Sequence, residues 1–331
     1  MSTLEAVGAL RRLAAWRQAL AGSRALRAGL LLLVCIVSFS LVAMLLTPYA
    51  PSDIIPGARL LPPSPAHPFG TDALGRDLLS RVAFGAVVAC QMALLSVGLS
   101  CLFGVILGSM AGYFGGWADQ VISRAMDGWL ALPGALVAVV IVARLGATLE
   151  NLIVALGLMG VPTVYRLVRS STLSVRRLPY VEAAVALGAT DGRVMWRHVF
   201  PNILSPLVVL VNTRAGTALL TGSSLSFIGL GAQPPVPEWG ALLANSRNYL
   251  DTAWWLALFP GLAVTCAVIG LNLLGDGLRD ALDPILADGA GLTAAAAATS
   301  ADAGTLSWHG ELKPSEAGSN AAPRAGVDQG R

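Results

Sequence analysis

Charge is scarce in this 331-residue sequence: charged residues make up 12% of it, whereas hydrophobic residues make up 55%. Soluble domains carry about 25% charged residues, and a water-soluble core cannot absorb so much apolar surface. The composition therefore predicts an all-α membrane protein with several spans of about 20 residues each. The net charge of +3 is small and spread over loops, so no nucleic acid partner is expected.

Lysine is nearly absent, because Lys313 is the only one. A phosphate-binding loop needs the pattern Gly-x-x-x-x-Gly-Lys-Ser/Thr, and Lys313 precedes Pro314, so the sequence has no such loop. No Ser-His-Asp set, HExxH motif or intramembrane carboxylate pair is recognisable, and no catalytic residue is predicted. The protein is therefore not expected to be an enzyme.

Metal-binding patterns are also missing. The four cysteines have no CxxC spacing and lie in apolar stretches, which predicts small buried hydrophobic side chains rather than metal ligands or disulfides. His67 has no second histidine, cysteine or paired carboxylate nearby. No metal and no cofactor is expected.

Long charge-free runs predict about six transmembrane helices. The predicted spans are 28–48, 86–112, 126–145, 149–168, 202–222 and 253–275. Gly104, Gly108 and Gly112 in the second span recur every four residues, which is typical of a close helix contact. Near the third span, Arg124 and Asp127 are spaced to form a local salt bridge on one helix face.

The arginines predict the orientation. If the N-terminus lies inside, the inner segments hold 13 of the arginines and the outer segments hold five, following the positive-inside rule. Both termini and the loop 169–201 are then cytoplasmic, while the segments 49–85 and 223–252 lie outside. The stretch 288–331 is rich in Ala, Gly, Ser and Thr without apolar period, which predicts a disordered tail.

The inner loop contains the most informative pattern. Pro179 favours the first turn of a helix, Gly188 favours its end, and Thr190 or Asp191 can cap the next helix. Small Ala183 and Ala184 would let a partner surface approach closely, and Glu182 could pair with a cation there. The alternative is an ordinary amphipathic helix that lies on the membrane.

This loop resembles the EAA loop of permease subunits in ABC importers. The matching residues are Glu182, Ala183, Ala184, Gly188, Asp191 and Pro201. The resemblance implies a coupling helix that docks in a groove of a cytoplasmic ATPase. His198 departs from it, because the family has an apolar residue there.

Further segments resemble the dipeptide, oligopeptide and nickel permeases of this family. They are His67–Asp72, Gly75–Asp77, Ser224–Pro235, Pro237–Gly240, Gly275–Asp280 and Leu282–Pro284. The resemblance implies a type I ABC importer transmembrane domain in the bacterial inner membrane. Its implied partners are a second homologous permease subunit, cytoplasmic ATPase subunits, an extracytoplasmic solute-binding protein and the lipid bilayer.

The implied domain organisation has four parts: a cytoplasmic N-terminal segment 1–27, a first transmembrane helix and outer loop 28–85, a core transmembrane domain 86–287, and the tail 288–331. The implied function is import of short peptides, coupled to a separate ATPase. Nickel or another small solute remains an alternative substrate. An ion-coupled carrier is less favoured, because the spans have no Asp, Glu or His at mid-membrane.

The outer motif has two interpretations. It can form a capped turn in which Thr71 or Asp72 starts a helix near Ala73, or it can contact the solute-binding protein. The residues concerned are Gly70, Thr71, Asp72, Gly75, Arg76 and Asp77.

Asn212 and Arg214 are the main strongly polar residues of the fifth span. They do not compose an acid/base pair, which argues against an intramembrane enzyme. A charge at a span centre is expected to face the bundle or a watery path, so both residues are candidates for the translocation pathway.

Overall fold

Ten α-helices make up most of the part of the chain that the computed structural model describes, residues 23–282. In chain order they are α1 (Arg24–Leu46), α2 (Leu78–Phe114), α3 (Gly116–Leu130), α4 (Gly134–Leu145), α5 (Leu149–Arg176), α6 (Pro179–Ala186), α7 (Asp191–Val194), α8 (Phe200–Phe227), α9 (Trp239–Ser246) and α10 (Trp255–Leu282). A π-helical turn, Met195–Val199, joins α7 to α8, and a 3-10 turn, Arg247–Tyr249, follows α9. Within residues 23–282 the only extended pairing is an isolated bridge between Thr71 and Asp77. The predicted all-α class is confirmed.

Five of these helical segments are long and apolar enough to cross a membrane. They correspond to the first, second, fourth, fifth and sixth predicted spans. Several extend beyond the predicted limits, because a helix does not stop where the apolar run stops. α2 has 37 residues and α5 has 28, compared with the roughly 20 needed to cross the hydrocarbon core. The predicted segment 1–27, up to residue 22, and the tail 288–331 lie outside the described residues.

The third predicted span, 126–145, is wrong as a single helix. The chain forms α3 and α4 instead, which meet at an angle of 86°. Pro133 lies at the break and precedes Gly134, the first residue of α4. Proline has no N–H to donate to the preceding turn and disfavours helical conformation in the residue before it, so a straight helix cannot run through this point.

The bent pair nevertheless follows α5 along most of its length. Asp119 of α3 pairs with Arg169, and Asp127 pairs with Arg166. At the other end, the carbonyl of Gly146 accepts a hydrogen bond from Asn151. The partners on α5 thus run from residue 169 to residue 151, about 27 Å at 1.5 Å per residue. This nearly equals the hydrocarbon thickness of about 30 Å, so the length of the bent pair is compatible with a sixth, broken span.

The contacts of α3 also correct a predicted salt bridge. Asp127 does not pair with Arg124 in its own helix, because its carboxylate lies 2.9 Å from Arg166 Nη2 of α5. Asp119 receives two hydrogen bonds from Arg169 of α5. Both carboxylates therefore join α3 to a neighbouring helix.

Glycines bring α2 and α5 into close contact, as the four-residue spacing predicts. A Cβ atom on Gly104 would lie 2.5 Å from Val164 Cβ, and one on Gly108 would lie 2.8 Å from the carbonyl oxygen of Tyr165. The same atom on Gly112 would lie 2.8 Å from the Arg169 carbonyl oxygen. Removing the side chains lets the two backbones approach to van der Waals distance, which is the main attraction available between helices in lipid.

Two tryptophan side chains join separate segments by hydrogen bonds at one end of the bundle. Trp239 Nε1 donates a hydrogen bond to the Val82 carbonyl oxygen at 2.9 Å, and Trp255 Nε1 donates to the Thr71 carbonyl oxygen at 3.3 Å. At the opposite end lie the C-termini of α2 and α5 with α6 and α7. The cysteine prediction is wrong for Cys35 and Cys90, whose side chains are exposed on the outer surface of the bundle.

Candidate functional site

The loop between α5 and α8 forms a short helix with defined ends. α6 begins with Pro179 at its first position and ends at Ala186. Gly188 follows with φ = +84°, in the left-handed region that side chains with a Cβ atom disfavour. The predicted helix between Pro179 and Gly188 is confirmed. Eight residues are too few for a helix that is stable alone in water, so packing must order it.

One side of α6 is anchored and the other is free. Val181 is 1% exposed and belongs to an apolar cluster with Val175, Val194 and Ile203. Leu187, just beyond the helix, is 88% exposed. Glu182, Ala183 and Val185 also face outward, whereas Ala184 is half-buried. We call the exposed residues Glu182, Ala183, Val185 and Leu187 the outward face of α6.

Asp191 is held by a residue from the far end of another helix. Tyr113, in the last turn of α2, donates a hydrogen bond from its hydroxyl group to Asp191 Oδ1 at 2.8 Å. The guanidinium of Arg176 lies over the Tyr113 ring, 5.6 Å from its centre. Thr190 occupies the position before α7 but makes no side-chain capping hydrogen bond. The hydrogen bond therefore joins the start of α7 to the end of α2, a contact that the sequence did not predict.

A cleft of about 660 Å³ lies beside this contact. Its walls include Tyr113 and Asp191 together with Arg176, Arg177 and Glu182. Both signs of charge therefore line an opening next to the outward face of α6. Such a surface can accept a partner that carries both apolar and charged side chains.

The second half of the loop passes into α8 through the π-helical turn. Pro201 is the second residue of α8, directly after the π-helical turn, and it is exposed. Asn202 donates to the Tyr180 hydroxyl at 3.1 Å, which joins α8 to α6. His198 is half-buried with its ring 5.7 Å from the Tyr180 ring. The departure at position 198 therefore contacts α6 within this loop.

The outer motif forms a buried ionic cluster. Asp72 Oδ2 lies 2.7 Å from Arg76 Nε and 3.7 Å from Arg81 Nε. Asp72 Oδ1 accepts hydrogen bonds from the backbone N–H groups of Leu74 and Arg76. Arg81 also donates to the Pro51 carbonyl oxygen at 2.8 Å, so the cluster connects the turn to the chain that leaves α1.

The predicted helix start near Ala73 is wrong. α2 begins at Leu78, and Asp77 is its N-cap, because Asp77 Oδ2 accepts the Ser80 N–H at 2.8 Å. The other oxygen of Asp77 lies 2.9 Å from His67 Nδ1. Asp72 instead closes a tight turn through Gly75, whose φ is +82°. The helix starts later because Asp77 satisfies both the helix N-terminus and the buried histidine.

All six residues of the outer motif are buried in the chain. These buried residues hold the turn together, which is a structural role. Of the residues in the turn, Leu74 at its tip is exposed. A contact with a binding protein stays a prediction, and the exposed side chains near the turn would have to make it.

Asn212 and Arg214 lie near the middle of α8 but face different neighbours. Asn212 Nδ2 donates to the Leu271 carbonyl oxygen at 2.5 Å, which joins α8 to α10. Arg214 points toward the seam between α2 and α5, where its Nη2 atom would lie 2.8 Å from a Cβ atom on Gly160. The structure therefore separates the two predicted pathway residues. Asn212 makes a helix contact, and Arg214 faces the bundle.

Comparison with known proteins places this geometry in context. The family model described as "Binding-protein-dependent transport system inner membrane component" matches residues 104–287, which contain α6 and its loop. The dipeptide transport system permease protein DppC of Alkalihalophilus pseudofirmus is 43% identical over 81% of this chain and 90% of its own length. The glutathione transport system permease protein GsiD of Pectobacterium atrosepticum is 42% identical over 82% of this chain and 90% of its own. Among solved structures, an inward-facing MetNI methionine ABC transporter gives a TM-score of 0.49 at 17% identity, covering 60% of this chain and 94% of that one.

Proposed function

Because the chain belongs to the family of binding-protein-dependent transport system inner membrane components, we propose that it is one permease subunit of an ABC importer for short peptides. It forms half of a translocation pathway and passes ATP-driven motion from a separate ATPase into the membrane. The relatives that are 42–43% identical carry the names of dipeptide and glutathione permeases. Since they match along most of both chains, a peptide is the favoured solute.

The coupling role depends on one observation, the outward face of α6. Two exposed apolar side chains, Val185 at 51% and Leu187 at 88%, lie together beside a charged cleft, and a partner with apolar and charged side chains can cover them at once. Glu182 adds a carboxylate that a cation on the partner can meet. The proposed occupant is the cytoplasmic ATPase, which supplies the nucleotide site that this sequence lacks.

The anchoring of α6 explains how motion would pass inward. Val181 links the helix to residues of α5, α7 and α8, and Tyr113 links α7 to α2. Displacement of α6 by a closing ATPase would therefore move several spans together rather than one loop. This requires both termini and the loop 169–201 to lie in the cytoplasm, as the arginine distribution predicts. The remaining partners are a second homologous permease and an extracytoplasmic solute-binding protein.

A transport assay tests this function. The chain is reconstituted in proteoliposomes with the second permease, the ATPase subunits and the binding protein, and uptake of labelled alanylalanine and of Ni²⁺ is followed. We expect dipeptide uptake that requires both ATP and the binding protein, and no uptake when the ATPase subunit cannot hydrolyse ATP. Uptake of Ni²⁺ but not of dipeptide would replace the substrate, whereas dipeptide uptake driven by an ion gradient without ATP would make the protein a secondary carrier.

A further inference from the structure

A single cation lies at the centre of α8. Arg214 is the only charged residue between Phe200 and Phe227, with about half of the helix on either side. An arginine at the centre of a span costs roughly 2.5 to 3.5 kcal/mol when it faces lipid. The residue is half-buried, and its Nε atom is buried without a hydrogen-bond partner.

Its surroundings contain no counter-charge. Among residues 23–282, the ion pairs join other residues, and no hydrogen bond of the Arg214 guanidinium is found. Two small residues lie beside the guanidinium, Gly160 of α5 and Ser100 of α2. Ser100 Oγ donates toward the Gly157 and Ser96 carbonyl oxygens, at 2.7 Å and 2.9 Å, and it is a neutral group that cannot balance the charge of Arg214. Within the part of the chain that the structure describes, the site therefore has a cation and no anion paired with it.

Gly160 keeps this space open. A Cβ atom at position 160 would lie 2.2 Å from Ser100 Oγ and 2.8 Å from Arg214 Nη2. Contacts of that length force the neighbouring side chains to shift, so glycine at position 160 leaves room for the guanidinium against the α2–α5 seam. The spacing between the helices thus fits the large guanidinium group of Arg214, and a smaller, neutral side chain would not need this space.

Arg214 also borders an exposed row of hydroxyl groups. At 100° per residue, position 214 lies between Ala218, which is buried, and Thr217, which is exposed. Thr213 and Ser224 continue the exposed row. Their hydroxyl groups donate to carbonyls four residues back, so their oxygen atoms can still accept from the N–H groups of a solute. The cation therefore lies beside a polar stripe on the exposed side of α8.

We propose that Arg214 binds the C-terminal carboxylate of a peptide as it crosses the membrane. This rests on the proposed import function, which supplies the anion. A guanidinium matches a carboxylate through two parallel hydrogen bonds, and such charge-assisted pairs are stronger than neutral ones. An unpaired cation in the pathway would lower the barrier for the negatively charged end of the solute. A carboxylate of the second permease is the competing occupant.

The test uses two substrates that differ in one charge. Uptake of alanylalanine and of alanylalanine amide is compared in the complete reconstituted transporter, with Arg214→Gln, Arg214→Lys and the control Arg144→Gln. Arg144 is exposed at the end of α4. Its variant also loses one positive charge, but at a position outside the α2–α5 seam. The binding protein contributes equally to each variant, so its own preference cancels when the acid-to-amide uptake ratio of a variant is divided by that of the parent protein.

We expect Arg214→Gln to lower the acid-to-amide uptake ratio about tenfold, the factor for one lost charge-assisted hydrogen bond. Arg214→Lys should lower it less, because it keeps the charge, and Arg144→Gln should leave it unchanged. An equal loss for both peptides would overturn the proposal and favour a structural role or a pair with the second permease. An unchanged ratio would overturn it as well. If the wild-type transporter shows no ATP-dependent uptake of either peptide, the import function itself fails.

A second measurement does not need the binding protein. Cys101 packs against an apolar cluster made of Ala93, Val97, Ala215 and Ala218, and Ala215 directly follows Arg214 along α8. In a version whose other cysteines are replaced by alanine, alanylalanine should slow alkylation of Cys101 by N-ethylmaleimide more than the amide does. The difference should vanish in Arg214→Gln. Equal protection by the two peptides in the parent protein would contradict a carboxylate site.

Discussion

The Tyr113 hydroxyl group donates a hydrogen bond to Asp191 Oδ1 at 2.8 Å, across 78 positions of sequence. This contact connects the end of α2 to the start of the helix that follows α6. If α6 receives the push of an ATPase, the hydrogen bond is a route by which α2 moves with it. The connection is charge-assisted, which places its strength above that of an ordinary neutral hydrogen bond.

Tyr113→Phe tests this route by removing only the hydroxyl group. We expect solute-stimulated ATP hydrolysis to fall about tenfold or more, as for loss of one hydrogen bond to a charged group. Asp191→Asn should behave similarly, and the double variant should lose little more than either single one. Tyr249→Phe, in the outer segment, is the matched control. Additive losses in the double variant would show that the two residues act independently.

Gly188→Val is expected to abolish solute-stimulated ATP hydrolysis while the membrane helices remain inserted. Gly188 has φ = +84°, and a β-branched residue resists that conformation. Gly188→Asn is the matched control, because asparagine adopts left-handed conformations more readily than other side chains. Ala184→Trp adds bulk at the half-buried position of α6 beside its outward face. Full stimulated activity in Gly188→Val or Ala184→Trp, with the ATPase still bound, would remove the basis for a coupling role of α6.

The sequence predicted the spans that composition controls. Apolar runs in α1, α2, α5, α8 and α10 far exceed what a soluble core can hold, so averaging over a window finds them. The third span failed because its outcome depends on Pro133 and on tertiary pairs. Asp119 and Asp127 find their arginines on α5, 50 and 39 positions away. A reading of neighbouring residues could propose only the local partner Arg124.

The site divides in the same way. Pro179 and Gly188 act on their own backbone within a few residues, so the limits of α6 could be predicted. Asp72 and Asp77 are both good N-cap residues, and the sequence could not choose between them. The choice follows from His67, which pairs with Asp77, and from Arg76, which pairs with Asp72. The partner of Asp191 is a tyrosine on a distant helix, for which no local signal exists.

Close packing of α2 on α5 predicts a sharp difference between two glycines. Gly108→Val should lower stability by about 1 to 3 kcal/mol, since its Cβ atom would lie 2.8 Å from the Tyr165 carbonyl oxygen. Gly98→Val is the matched control, because no atom lies within 4 Å of a Cβ atom there. Thermal unfolding in detergent measures both. Equal melting temperatures for the two variants would contradict the close contact.

The two ion pairs between α3 and α5 should differ in strength. The Asp127–Arg166 side chains are 57% and 59% exposed, and such pairs contribute about 0 to 1 kcal/mol. Asp119 and Arg169 are 19% and 32% exposed and joined by two hydrogen bonds. Asp119→Asn should therefore lower the melting temperature more than Asp127→Asn does. A larger effect of Asp127→Asn would reverse the assignment.

The topology follows from arginine distribution and can be checked at two exposed positions. Val185 lies on the outward face of α6, and Asn248 lies in the segment after α9. In a protein whose native cysteines are replaced by alanine, Asn248→Cys should react with a membrane-impermeant maleimide in intact spheroplasts. Val185→Cys should react only after the membrane is opened. Because α6 could meet a cytoplasmic ATPase only from inside, labelling of Val185→Cys but not of Asn248→Cys from outside would invert the protein and exclude the coupling role together with the orientation.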